Sequence, residues 1–288
     1  MSMFGKLVDI LQTDLLQPKA GAEAPTRHPG LEQVWRVCGE TIASAQNVEA
    51  ALTPALDYAI RYFDTQIRTI PGAFGLSVSG HPEEPFLARH FPAREDVTAA
   101  LGRSVEVKDA LPALAPERQG HVYGILGMRV KQSGVDATSP LFADHTLRCL
   151  AMTEADSRES LRQAALSRLL HGFKEHTDKL RKAGKLLQVE WTLGKEALPQ
   201  GVAAGSFIHA EEALTPDNLL KGLVSWLKSP SEFLRIDPAA SADEGGVGLP
   251  MMHSADTRKW MVCQVKFSAT EGMEALKRET RVHRYILI

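Results

Sequence analysis

Apolar residues recur at three- and four-residue steps through the middle of the chain, at Leu166, Leu170, Phe173, Leu180, Leu187, Trp191 and Leu198. Thr177, Gly184 and Gly194 fill the same register. The spacing predicts one long amphipathic helix with a coiled-coil-like seam. Its start is marked at Thr153, a hydroxyl N-cap with Asp156 three residues on. Glu154, Asp156 and Glu159 lie near that start, and Lys179, Arg181, Lys182 and Lys185 lie further along, the order a helix dipole favours. A second pattern competes over residues 186–193. Leu187, Val189, Trp191 and Leu193 alternate with polar residues at strand period, and Gly184 would then end the helix. The heptad register carries through the stretch and favours continuation, but a strand stays open there.

Elsewhere the pattern predicts shorter elements. Phe4, Leu7, Val8, Leu11 and Leu15 form one helix face, followed by a Pro/Gly-rich arm over residues 18–30. A helical hairpin comes next. Its first helix carries Leu31, Val34, Trp35, Cys38, Ile42 and Ala45; its second opens at Thr53-Pro54, runs through Leu56, Ile60, Phe63 and Ile67, and ends at Ile70-Pro71-Gly72. Residues 73–116 are mixed, with a short helix after Pro92 and a loop over 111–116. Strands are predicted over 121–131 and 145–152, with Gly120, Gly124 and Gly127 marking a bulge or a close backbone approach. A helix from Thr215-Pro216, strands over 233–236 and 260–267, a helix over 271–278 and a strand over 282–288 complete the chain. The fold class is α+β: an N-terminal helical hairpin, a mainly antiparallel sheet and one long amphipathic helix from about residue 153. The expected division is 1–30, 31–198 and 199–288.

Composition narrows the function classes. The 288 residues are 44% hydrophobic and 24% charged, which suits a folded core rather than wholesale disorder. A formal net charge of -2 gives no global pull towards nucleic acid or an anionic membrane. Cys38, Cys149 and Cys263 are widely scattered, against a disulfide framework or a structural zinc site. Asp9, Gln12, Thr13 and Asp14 interrupt the first apolar face, unlike a signal peptide. No run reaches the roughly 18 apolar residues that span a bilayer. The expected location is the cytoplasm.

Candidate chemistry is sparse. His171 and His176 are five apart, so they do not share a helix face as two metal ligands would. Asp144-His145 has no nucleophile beside it in sequence, and Ser77 to His81 lack a Gly-x-Ser-x-Gly elbow. The basic run from His176 to Lys185 is interleaved with acids and reads as a solvated helix face. One C-terminal pattern has mechanistic shape: Asp237 ends a predicted strand, Asp243 sits in a glycine-rich loop, and Gln264 and Lys266 lie two apart on the next strand. Over about 50 residues this resembles the end of a restriction-endonuclease-like core. The resemblance implies a Mg²⁺ ion held by the aspartate and its partner, with Lys266 at the attacked phosphate. The alternative is an edge strand that carries Gln264 and Lys266 to water.

The leading expectation is a non-enzymatic interaction or accessory protein without cofactor or metal. It would act through the seam Leu166, Leu170, Phe173, Leu180, Leu187 and Trp191, packed on the hairpin, a second copy or a partner protein. The second is a diverged metal-dependent nuclease using Asp243 (or Asp237), Gln264 and Lys266, with Mg²⁺ and nucleic acid as its partners.

Overall fold

The structure, a computed structural model, describes residues 28–116, 119–130, 142–193, 212–239, 248–254 and 259–284, with backbone alone at 143, 187–193, 254 and 280–284. These residues form an α+β fold of eight helices and six strands. They group into two compact units, each discontinuous in sequence. Of the described residues, one unit holds 64–164 and those from 231 onward; the other holds 28–63 and those between 165 and 230.

The first unit is built on a mainly antiparallel sheet. Its strands are β1 (Phe74–Gly75), β2 (His121–Val130), β3 (Phe142–Ala151), β4 (Leu234–Asp237), β5 (Met251–Ser254) and β6 (Lys259–Ser268). They run in the order β3-β2-β6-β5-β4, with β1 parallel to β6. Directly opposed residues share a face of a sheet. The register Val122↔Phe267, Leu126↔Cys263 and Met128↔Met261 therefore gathers one apolar face. Onto it pack α3 (Pro85–His90), α4 (Arg94–Arg103), α5 (Val105–Leu114) and α8 (Ala269–Arg284), through Leu87, Leu101, Leu111 and Ala275. A Cβ at Gly124 would come within 2.7 Å of Leu150 Cδ2, beside a register shift between Tyr123 and Ile125. A residue without a side chain is what that close approach requires.

Side chains take up N–H groups on the outer strands β3 and β4. On β3 the Leu147 N–H donates to Ser104 Oγ at 2.9 Å and the Leu150 N–H to Glu106 Oε1 at 2.8 Å. On β4 the Ile236 N–H donates to Gln66 Oε1 at 2.7 Å. Unpaired edge groups otherwise template pairing with another chain.

The long helix α6 spans Glu154–Leu193. At its start Thr153 Oγ accepts the Asp156 N–H at 3.1 Å and donates to Asp156 Oδ2 at 2.7 Å. The helix passes through Gly184, so residues 186–193 are helical. In the second unit, α1 (Pro29–Ile42), the first part of α2 (Val48–Arg68), α6 from Ala165 and α7 (Pro216–Leu227) pack together. Cys38 Sγ lies 3.7 Å from the Leu170 carbonyl, and Trp226 Nε1 donates to the Leu169 carbonyl at 2.9 Å. The seam of α6 thus lies on the N-terminal hairpin over its first half. The three cysteines are buried and free.

Several boundaries differ from expectation. Helix α2 begins at Val48 and carries Pro54 inside it. The ring forfeits one bond to the Ala50 carbonyl, which is exposed to water, and Thr53 Oγ returns a bond of 2.8 Å to the Glu49 carbonyl. For the same reason α5 tolerates Pro112 and runs to Leu114, where a loop is expected. Helix α8 runs from Ala269 to Arg284, so the strand over 282–288 does not form at 282–284, and 285–288 lie outside the described residues. Past Gly272 the stretch is mostly strong helix formers with no glycine or proline to stop it. Helix α3 and strands β1 and β5 are too short to announce themselves by periodicity. The predicted helix over residues 4–15 and most of the arm after it lie outside the described residues; Pro29 takes the first turn of α1.

Candidate functional site

The C-terminal polar pattern is dispersed by the sheet. Asp237 is opposite Met251, which is opposite Met261. Asp237 therefore shares a face with Met261, whereas Gln264 and Lys266, at odd offsets from it, point to the other face. Lys266 is five residues further along β6, about 17 Å at roughly 3.4 Å per residue. The Asp237 carboxylate is held by Arg235, with Nε–Oδ1 at 2.8 Å and Nη2–Oδ2 at 3.1 Å, and by His253 Nε2 at 2.9 Å. Asp243 lies outside the described residues.

Gln264 is on a central strand, not an edge, and is 0% exposed. Its Nε2 donates to the Glu154 carbonyl at 3.0 Å, in the first turn of α6, and its own N–H donates to the Pro71 carbonyl at 2.8 Å. Its Oε1 is buried without a hydrogen-bond partner among the described residues. Lys266 is exposed, opposite Tyr123. Gln264 thus ties β6 to the start of α6, and the Asp–Gln–Lys set is not brought together through Asp237. Among the described residues no group of three or more His, Cys, Asp or Glu side chains is placed to hold a metal ion.

The start of α6 is braced from α2 as well. Arg158 donates through Nη1 to the Ile67 carbonyl at 2.8 Å and through Nη2 to the Ile70 carbonyl at 2.9 Å, while pairing with Glu154 at 3.1 Å. The fork satisfies two carbonyls at the end of α2 with one side chain.

The seam of α6 divides in two. Leu166, Leu170, Phe173 and Thr177 are buried. Phe173 meets the Trp226 ring edge-on at 5.9 Å, and His176 stacks on the same ring at 5.5 Å. Beyond Thr177 the helix surfaces: Leu180 is 37% and Leu186 65% exposed. Lys179, Lys182 and Lys185 are exposed around them, and Asp178 is paired with Arg181 at 3.2 Å. The side chains of Leu187 and Trp191, next in the register, lie outside the described residues.

Two clusters have no sequence signal. Glu106, half-buried at the start of α5, accepts the Leu150 N–H at 2.8 Å; desolvation pushes its carboxyl above the usual range. His81, His90 and His145 gather with Phe86, Phe91 and Phe142 between α3 and β3. Burial pushes the thiols up, Cys38 to about 12, so neither it nor the fully buried Cys149 is poised as a nucleophile. No described helix is long and apolar enough to cross a membrane. Comparison of the chain with protein-family models, curated proteins and solved structures returns no match.

Proposed function

We propose that this chain is a non-catalytic accessory protein that recruits a partner protein through the distal turns of α6. The observation that carries the reading is the change along one seam. Leu166, Leu170 and Phe173 are consumed by the chain's own packing, whereas Leu180 on the same seam is exposed, as is Leu186 one residue off the register, on a helix that continues to Leu193. The heptad register extends beyond the last internal contact, which supports a helix-on-helix partner. Charge selects its kind. Over residues 178–186, Lys179, Arg181, Lys182 and Lys185 stand against one acid, Asp178. The complementary partner is an amphipathic helix with acidic flanks.

The test uses a fluorescent peptide with leucine at heptad a and d positions and glutamate at e and g. Anisotropy should report binding to the full chain that falls at least tenfold with Leu180→Asp and weakens as salt rises. Absence of binding, or binding indifferent to Leu180→Asp, overturns the reading. Sedimentation of the chain alone separates a second copy from a different partner.

A further inference from the structure

We propose that the histidine–aromatic layer between α3 and β3 is an acid-sensitive latch that holds α3 in place and releases it on acidification. Two histidines clasp successive carbonyls at the C-terminal end of α3. His145, on β3, donates through Nε2 to the His90 carbonyl at 3.0 Å, and His81 donates through Nε2 to the Phe91 carbonyl at 2.8 Å. The rings pack together, His145 face to face with Phe91 and the others tilted. His145 lies on Phe91 at 4.5 Å, and His90 lies between Phe86 at 5.0 Å and Phe142 at 5.6 Å. His90 is 3% exposed, and its Nδ1 has no hydrogen-bond partner among the described residues.

That geometry makes His90 the part that cannot accept a proton in place. The charged groups acting on it, Arg89 on α3 and His145 on β3, are both unfavourable to a second cation. The nearby carboxylates serve other groups. Asp144 is paired with Arg129 at 2.6 Å, Asp96 accepts the Ala93 N–H at 2.9 Å, and both act on His145. At His81, Arg94 Nε donates to the His81 carbonyl at 3.0 Å. Burial, then Arg89, then His145 lower His90 from 6.5 to about 4; burial also lowers His145. A depressed histidine stabilises the closed state above its ordinary value, and that contribution is lost as pH falls from about 6.5 towards 4. When His90 leaves, His145 loses its acceptor and Phe86 and Phe142 lose the ring between them, so the segment goes as one.

The experiment is hydrogen exchange by mass spectrometry on the full chain, at about pH 7 and about pH 5, corrected for intrinsic rates. Peptides covering α3 should open roughly 20-fold more often at the lower pH, while α8 stays protected. His90→Phe keeps an aromatic ring and cannot titrate, so its α3 should keep its protection. If that variant does not fold, NMR titration of the wild-type histidines decides, with His90 expected to titrate well below its ordinary value. The latch is overturned if α3 opens only together with α8, if His90→Phe opens at the same pH, or if His90 titrates at its ordinary value.

Discussion

Glu106 gives the sharpest test of how the sheet edge is held. Its half-buried carboxylate takes the Leu150 N–H at 2.8 Å, beside Cys149, which has φ 55°. Glu106→Ala leaves the Leu150 edge donor unpaired, at about 1–3 kcal/mol, and relief of the partly buried charge offsets part of that. The net loss should be about 1–2 kcal/mol. Glu106→Gln keeps a carbonyl oxygen and sheds the charge, so it should change stability by about 1 kcal/mol or less. Urea denaturation followed by circular dichroism measures both, with an unchanged m-value as the check on two-state behaviour. The sign with pH is fixed by the raised carboxyl. Its stabilising contribution is complete below the ordinary value of 4.5 and is lost as pH rises through the higher folded value. The glutamine variant should therefore gain on wild type at neutral pH, and the gain should shrink as pH falls towards 4.5. Alanine and glutamine variants of equal stability would refute the reasoning, as would an alanine variant within about 0.5 kcal/mol of wild type.

Two further substitutions probe the start of α6. Gln264→Glu replaces a buried donor with a carboxylate facing the Glu154 carbonyl, so it should cost about 3 kcal/mol at neutral pH and recover in acid, where the protonated group can donate again; denaturation at two pH values reads this. Arg158→Lys cannot fork to the Ile67 and Ile70 carbonyls and should lose about 1–2 kcal/mol, with calorimetry showing a lower Tm.

Much of the framework is legible in one-dimensional pattern. The Thr153 cap, the charge order and the heptad spacing define α6, and the apolar runs of β2 and β6 define the sheet centre. These signals are local, so periodicity and capping carry them. What is not legible depends on distant pairs. Gln264 meets Glu154 across 110 residues, His145 meets His90 across 55, and Glu106 meets Leu150 across 44. In sequence Gln264 and Lys266 look like an equivalent pair on one face. Only the register shows that α6 covers the first and that the second is left exposed. The seam is legible as a stripe, but not as a stripe that changes from internal packing to surface after Thr177, because burial is set by α1, α2 and α7.

The central claim rests on the exposed end of that stripe. Leu180→Asp should leave thermal stability within about 0.5 kcal/mol of wild type, as surface substitutions do, while abolishing capture of the acidic heptad peptide. Leu170→Asp, in the buried half, should instead destabilise the fold. A Leu180→Asp chain that binds the peptide as wild type does would contradict the account.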